Sequence, residues 1–187
     1  MNSRESVYAF RRRRFLGLSG AAGLALAMPA IRPARAAIRV RVRKLDFYNI
    51  HTGESLSAVY WERGRYLHDS LAEIDYVLRD FRTNEVRAID PNLLNLVHRL
   101  RLLMGYEHPI HVISGYRSPA TNAMLARRSK RVAKNSYHIR GKAIDIRLPG
   151  HRLTDVRNAA LVLAGGGVGY YPESDFVHMD TGPVRHW

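Results

Sequence analysis

The chain has 187 residues, a formal net charge of +14 and no cysteine. Disulfides and thiolate metal ligands are therefore excluded, so any bound metal must be held by His, Asp or Glu. The positive charge suits an anionic partner, yet its Lys and Arg are scattered, as in RVRKL and ARRSKRVAK, without the aromatic platforms of single-strand nucleic-acid binders; no nucleic-acid role is expected.

Residues 1–36 read as an address. Arg11 to Arg14 precede Phe15 and Leu16, an apolar run reaches Ala27, and Ala34, Arg35 and Ala36 close it, the order of a cleavable signal peptide. Arg12 and Arg13, followed by Phe15 and Leu16, resemble a twin-arginine export signal. The apolar stretch is shorter than the roughly 20 residues of a spanning helix, so an uncleaved anchor is the lesser alternative. The leader carries seven Arg and one Glu, and its removal leaves +8 on residues 37–187. That length fits one domain with a proper core.

In the remaining chain, Ile38, Val40 and Val42 alternate with arginines in the period of a strand. Leu45 to Ile50 and Ser55 to Trp61 flank the polar turn His51 to Glu54, the pattern of a β-hairpin. Leu67, Leu71, Ile74, Val77, Leu78 and Phe81 mark a helix over Tyr66 to Phe81. A second helix starts at Asp90 and Pro91, cap and first turn, and stops at Gly105. Ile110 to Ser114 is a strand, and Ser118 to Arg128 a helix opened by Ser118 and Pro119. Strands follow at Ala143 to Leu148, around Val168 to Tyr171 and at Phe176 to Thr181, with a helix over Leu153 to Ala164. The run Gly165 to Gly167 lacks the Lys and Ser or Thr of a phosphate loop and reads as a helix stop and close turn. Helices and short strands without regular βαβ alternation indicate an α+β domain with a small, mostly antiparallel sheet and flanking helices. His51 reads as a turn residue and His98 as structural or surface.

The segments SYHIRGKAID and DFVHMD carry the chemistry. Ala143, Asp145 and Arg147 share one strand face, with Ile144 and Ile146 on the other, and Phe176, His178 and Asp180 share a face of the later strand. Gly141 allows a tight bend between His138 and Asp145. If the two strands are neighbours, His138, Asp145 and His178 converge as ligands for one zinc ion, whose open position would activate water.

The spacing S-x-H-x-x-G-x-A-x-D at Ser136, His138, Gly141, Ala143 and Asp145, with the later His178, resembles the zinc signature of metallopeptidases related to lysostaphin, D-Ala-D-Ala carboxypeptidase and the hedgehog amino-terminal domain. The chain is most similar to the YcbK-like murein endopeptidases, through LRDFRTNEVRAIDPNLL, ISGYRSPATNAML, the zinc segment and GGGVGYYPESDFVHMDTGPVRHW. The resemblance implies a hedgehog or D-Ala-D-Ala peptidase-like fold, export to the periplasm and zinc-dependent cleavage of peptide cross-links in peptidoglycan, with stem peptides as partners. A monomer is expected. It assigns His138, Asp145 and His178 to zinc and puts Asp175, three residues before His178, where relatives hold a Glu or Asp base. Glu173 and Asp180 are rivals for that base, and Asp180 could instead orient a ligand imidazole. Arg117 has the planar fork to clasp a stem-peptide carboxylate, or to form a structural ion pair. Ser114, Tyr116, Ser136 and Tyr137 are placed along the cleft, with Tyr137 near a developing oxyanion. The lysostaphin branch has a His where this chain has Phe176. A carboxypeptidase that trims D-Ala-D-Ala or L,D termini, and a noncatalytic zinc-stabilised wall-binding module, remain as alternatives.

Overall fold

The computed structural model describes residues 42–129 and 132–187. The leader expected over residues 1–36, and the alternation of Ile38 and Val40, lie outside the described residues. A hairpin of β1 (Val42–Asn49) and β2 (Ser55–Glu62) opens the fold, and the two-residue β3 (Arg65–Tyr66) extends it. Alternation decides its faces: Leu45 and Phe47 on β1, with Ala58 and Tyr60 on β2, point into the core.

Helix α1 (His68–Val77) is shorter than its apolar spacing suggests. Tyr66 belongs to β3, and after Leu78 the chain turns, so that the Leu78 carbonyl accepts from the Tyr116 amide at 2.8 Å. A tertiary hydrogen bond has replaced another helical turn. Helix α2 (Pro91–Leu103) starts where expected, the Asp90 carboxylate accepting from Asn92 N at 2.9 Å. Its residues Leu93, Leu94, Val97 and Leu100 are fully buried, each such side chain contributing about 1.5–3 kcal/mol.

The second half comprises β4 (Ile110–Ser114), α3 (Pro119–Arg128) capped by Ser118, β5 (Ala143–Arg147), α4 (Leu153–Leu163), β6 (Gly167–Tyr171), β7 (Phe176–Asp180) and the short β8 (Arg185–His186). Strand order is β3-β2-β1-β4-β5-β7-β6-β8. Pairing is antiparallel except between β1 and β4 and between β6 and β8. The expected α+β, mostly antiparallel architecture is present. The sheet is larger than expected, because the edge strands β3 and β8 are too short to show a period. Residues of α1, α2 and α4 join Ile110, Val112, Ile144, Ile146, Val177 and Met179 in one core, which leaves the opposite face of β5 and β7 for polar side chains. No described helix is long and apolar enough to cross a membrane.

Between α3 and β5 a 3-10 turn, Tyr137–Arg140, ends at Gly141, whose φ of 65° lies in the left-handed region. A Cβ there would lie 2.3 Å from the Ala88 carbonyl oxygen, and the Gly141 carbonyl accepts from Asp90 N at 2.9 Å. Glycine is thus required twice, by conformation and by space. Gly141→Ala is expected to destabilise the protein by about 2 kcal/mol or more, read as a fall in Tm of roughly 4–8 °C; an unchanged Tm would contradict this placement.

Candidate metal centre

β5 and β7 are direct neighbours, with Asp145 opposite His178 in the register. The 3-10 turn before Gly141 brings His138 over the same face. The three residues are almost fully enclosed, at 1% exposure for His138 and Asp145 and 8% for His178. His138 Nε2 lies 3.2 Å from Asp145 Oδ1 and 3.2 Å from His178 Nδ1, and the latter two atoms are 2.8 Å apart.

Hydrogen-bond chemistry fixes which way each ring presents its lone pair. A carbonyl only accepts, so His138 Nδ1–H donates to Gly115 O at 2.6 Å and its Nε2 lone pair faces the centre. In its neutral, ligating form His178 donates from Nε2–H to Asp180 Oδ2 at 3.0 Å, which turns its Nδ1 lone pair to the same point. Arg117 Nη2 donates to Asp145 Oδ2, leaving Oδ1 for the centre. Three electron-pair donors therefore meet, and their separations approach the roughly 3.3 Å expected between ligands of a tetrahedral zinc with bonds of about 2.0–2.1 Å. Among the described residues this is the one grouping of His and carboxylate side chains placed to hold a metal ion.

The electrostatics suit such a cation. Burial, aided by the Arg117 charge, pushes His138 down to about 4, so its imidazole is neutral and able to ligate. Burial opposes the Asp145 charge, yet the neighbouring His138, the Arg117 guanidinium and the His178 ring hold its carboxyl well below the usual range. For His178, burial favours the neutral ring, but the facing Asp145 and Asp180 carboxylates prevail and raise its pKa, so this end of the centre draws positive charge, whether a proton or a metal cation. Asp180 is fully buried, and burial is outweighed by hydrogen bonds from His178, Arg185, Gly182 N and Gly167 N, which lower its pKa.

A cleft of about 540 Å³ opens onto the centre, lined by Arg117, Ser136, Tyr137, Tyr171, Phe176 and Trp187 among others. Ser136 Oγ accepts from His138 N at 3.3 Å, so it shapes the turn that carries His138. Tyr116 is buried in the core rather than in the cleft. Ser114 Oγ accepts from Arg117 Nε at 2.8 Å; with Nη2 on Asp145, one edge of the guanidinium is spent inside the site. Asp175 does not line this cleft. It occupies the turn before β7 with φ of 52°, and its carboxylate, 61% exposed, accepts from Arg147 Nη1 at 2.9 Å in a neighbouring depression with His111. Glu173 stands in the preceding 3-10 turn, Pro172–Ser174, and also lies outside the lining. Sequence reasoning did not find Arg185, Trp187 or the Gly115 carbonyl; a main-chain acceptor leaves no mark in residue types.

The profile of the family described as peptidoglycan L,D-endopeptidase MepK matches residues 37–187. The chain belongs to this family. It is 46% identical over 177 residues to the peptidoglycan L,D-endopeptidase MepK of Escherichia coli strain K12, covering 94% of this chain and 96% of that protein, with the same values for the protein of that name from Shigella flexneri. Within this MepK-family chain, the loop that supplies Gly115 O and Arg117 is fastened from behind. Asp80 Oδ2 accepts from Ser118 N at 2.8 Å and its Oδ1 from Arg82 N at 3.0 Å.

Burial opposes the Asp80 charge, but hydrogen bonds from Thr121, Ser118 and Arg82 overcome it and lower its pKa. The resulting stability is present above the ordinary carboxylate range and disappears as pH falls through the folded-state value. Asp80→Asn is expected to cost about 1.5–3 kcal/mol at pH 7, with the deficit shrinking below about pH 4. Urea unfolding at pH 7 and pH 3 measures it; a deficit equal at both would contradict the charged role.

Proposed function

We propose that this chain is a zinc-dependent endopeptidase that cuts L,D-peptide cross-links between peptidoglycan stem peptides in the periplasm. The carrying observation is the convergence of three oriented electron-pair donors at the floor of a cleft. Membership of the peptidoglycan L,D-endopeptidase family supports the substrate and the bond. His138 Nε2, Asp145 Oδ1 and His178 Nδ1 would hold the ion. When bound, zinc supplies a Lewis acid that polarises a peptide carbonyl and makes water nucleophilic near neutral pH.

Every other task falls to side chains. Arg117, one edge held by Ser114 and Asp145, offers Nη1 to a stem-peptide carboxylate, so it serves both the ligand and the substrate. The Tyr137 hydroxyl is the donor assigned to the carbonyl oxygen as it gains charge, and Ser136 holds the turn beneath it. We assign the base to Asp175, whose carboxylate would have to leave Arg147 and swing into the cleft to take a proton from the attacking water and return it to the leaving amine. Its exposure supports this choice over Asp180, which is committed to His178 and Arg185, and its position three residues before His178 supports it over Glu173. We further read residues 1–36 as a twin-arginine-type leader and residues 37–187 as one monomeric, hedgehog or D-Ala-D-Ala peptidase-like domain; the family match over residues 37–187 supports that boundary.

Mass spectrometry of muropeptides tests the reaction. The wild type with zinc is expected to resolve L,D-linked dimers into monomers and to leave D,D-linked dimers whole, while chelated protein and His138→Ala release nothing. Equal release by wild type and His138→Ala would end the enzymatic reading. Asp175→Asn is expected to bind zinc normally and lose about 10²–10⁴-fold in kcat; undiminished kcat would transfer the base to another residue.

A further inference from the structure

We propose that Arg185 is a positioning residue of the metal centre, holding His178 in its ligating orientation through Asp180; this rests on the zinc reading above. Both Arg185 Nη atoms are spent on one carboxylate, Nη1 on Asp180 Oδ1 at 3.1 Å and Nη2 on Asp180 Oδ2 at 2.7 Å. The same Oδ2 accepts the His178 Nε2 proton at 3.0 Å, and that bond turns the Nδ1 lone pair inward. Asp180 Oδ1 also accepts from Gly167 N at 3.1 Å and Gly182 N at 2.8 Å. The carboxylate is thus pinned on every side, and Arg185 supplies the cation that balances a fully buried charge.

The surroundings are shaped for this arginine. β8 carries it parallel to β6, with Gly167 opposite Arg185, and the strand is continued by Trp187 N donating to Val168 O at 3.2 Å and Tyr170 N to Trp187 O at 3.0 Å. The guanidinium carbon lies 5.2 Å from the Tyr137 ring centre and 5.1 Å from that of Trp187, and the Trp187 and His178 ring centres are 5.3 Å apart. Three glycines leave room for the assembly. A Cβ at Gly167 would meet Arg185 Nη1 and Asp180 Oδ2 at 2.5 Å, one at Gly169 the Trp187 ring at 2.8 Å, and one at Gly182 the Tyr137 ring at 2.5 Å. A side chain at any of these positions would displace a member of the cluster.

Arg185 also lines the cleft, so a direct role in holding substrate carboxylates is the rival. The paired contact with Asp180 argues against it, because that is the edge with which a guanidinium clasps a carboxylate. The two roles separate in zinc affinity, measured by competition with a chromophoric chelator on wild type, His138→Ala, Arg185→Gln and Arg185→Lys. Arg185→Gln is expected to bind zinc about 10–100-fold more weakly, with Arg185→Lys intermediate; at saturating zinc its KM for muropeptide dimers should match the wild type. Unchanged zinc affinity, with or without a raised KM, would overturn the proposal. Should Arg185→Gln fail to fold, Arg185→Lys decides alone, since it keeps the charge but not the paired contact, and wild-type affinity in it overturns the proposal equally. A wild type that takes up no more zinc than His138→Ala would sink the metal reading and this inference together.

Discussion

Two imidazole nitrogens and a carboxylate oxygen, all presenting electron pairs within 3.2 Å of one another in a buried space, demand a positive charge among them. The cost of leaving such groups unpaired away from water runs to several kcal/mol. Much of the second half of the chain serves to impose this crowding. β5 and β7 deliver Asp145 and His178 in register, Gly141 turns His138 over them, and the Asp80 loop brings up Gly115 O and Arg117. A bound cation would compensate the strain of assembling like-minded donors, converting binding energy into fixed geometry.

The charges around the centre form alternating layers. Asp145 is held by Arg117, and Asp180 by Arg185, so Asp145 faces two imidazoles and one guanidinium, and Asp180 one of each. The two arginines therefore neutralise what the ligands and their supports would otherwise leave as net negative charge. Basicity that looked diffuse along the chain acquires, at these two positions, a specific electrostatic purpose.

Much of this was legible in the residue order. Alternation placed Asp145 and His178 on the polar faces of their strands, and Asp90 with Pro91, and Ser118 with Pro119, marked two helix starts that the structure contains. Other features required three dimensions. α1 ends early because Leu78 O is claimed by a residue 38 positions later, a contact to which helical periodicity is blind. The run Gly165 to Gly167 read as a helix stop and close turn; α4 does end just before it, with Ala164 as the left-handed residue, and a Cβ at Gly166 would sit 1.8 Å from Asp180 O. Those glycines answer to the neighbouring strand more than to the helix. Asp175 shows the opposite limit: its spacing from His178 suggests the reacting centre, whereas local backbone geometry turns its carboxylate to Arg147.

The His138 and His178 imidazoles are oriented by different kinds of partner. His138 leans on a main-chain oxygen, which no substitution at position 115 can remove, and a Cβ at that glycine would collide with Leu78 O at 2.4 Å. His178 leans on a side chain that itself depends on another. One half of the centre is thus hard-wired into the backbone and the other is adjustable by point mutation. At the proposed metal site, affinity would be retuned gradually from the His178 side, while the His138 side would permit only retention or collapse.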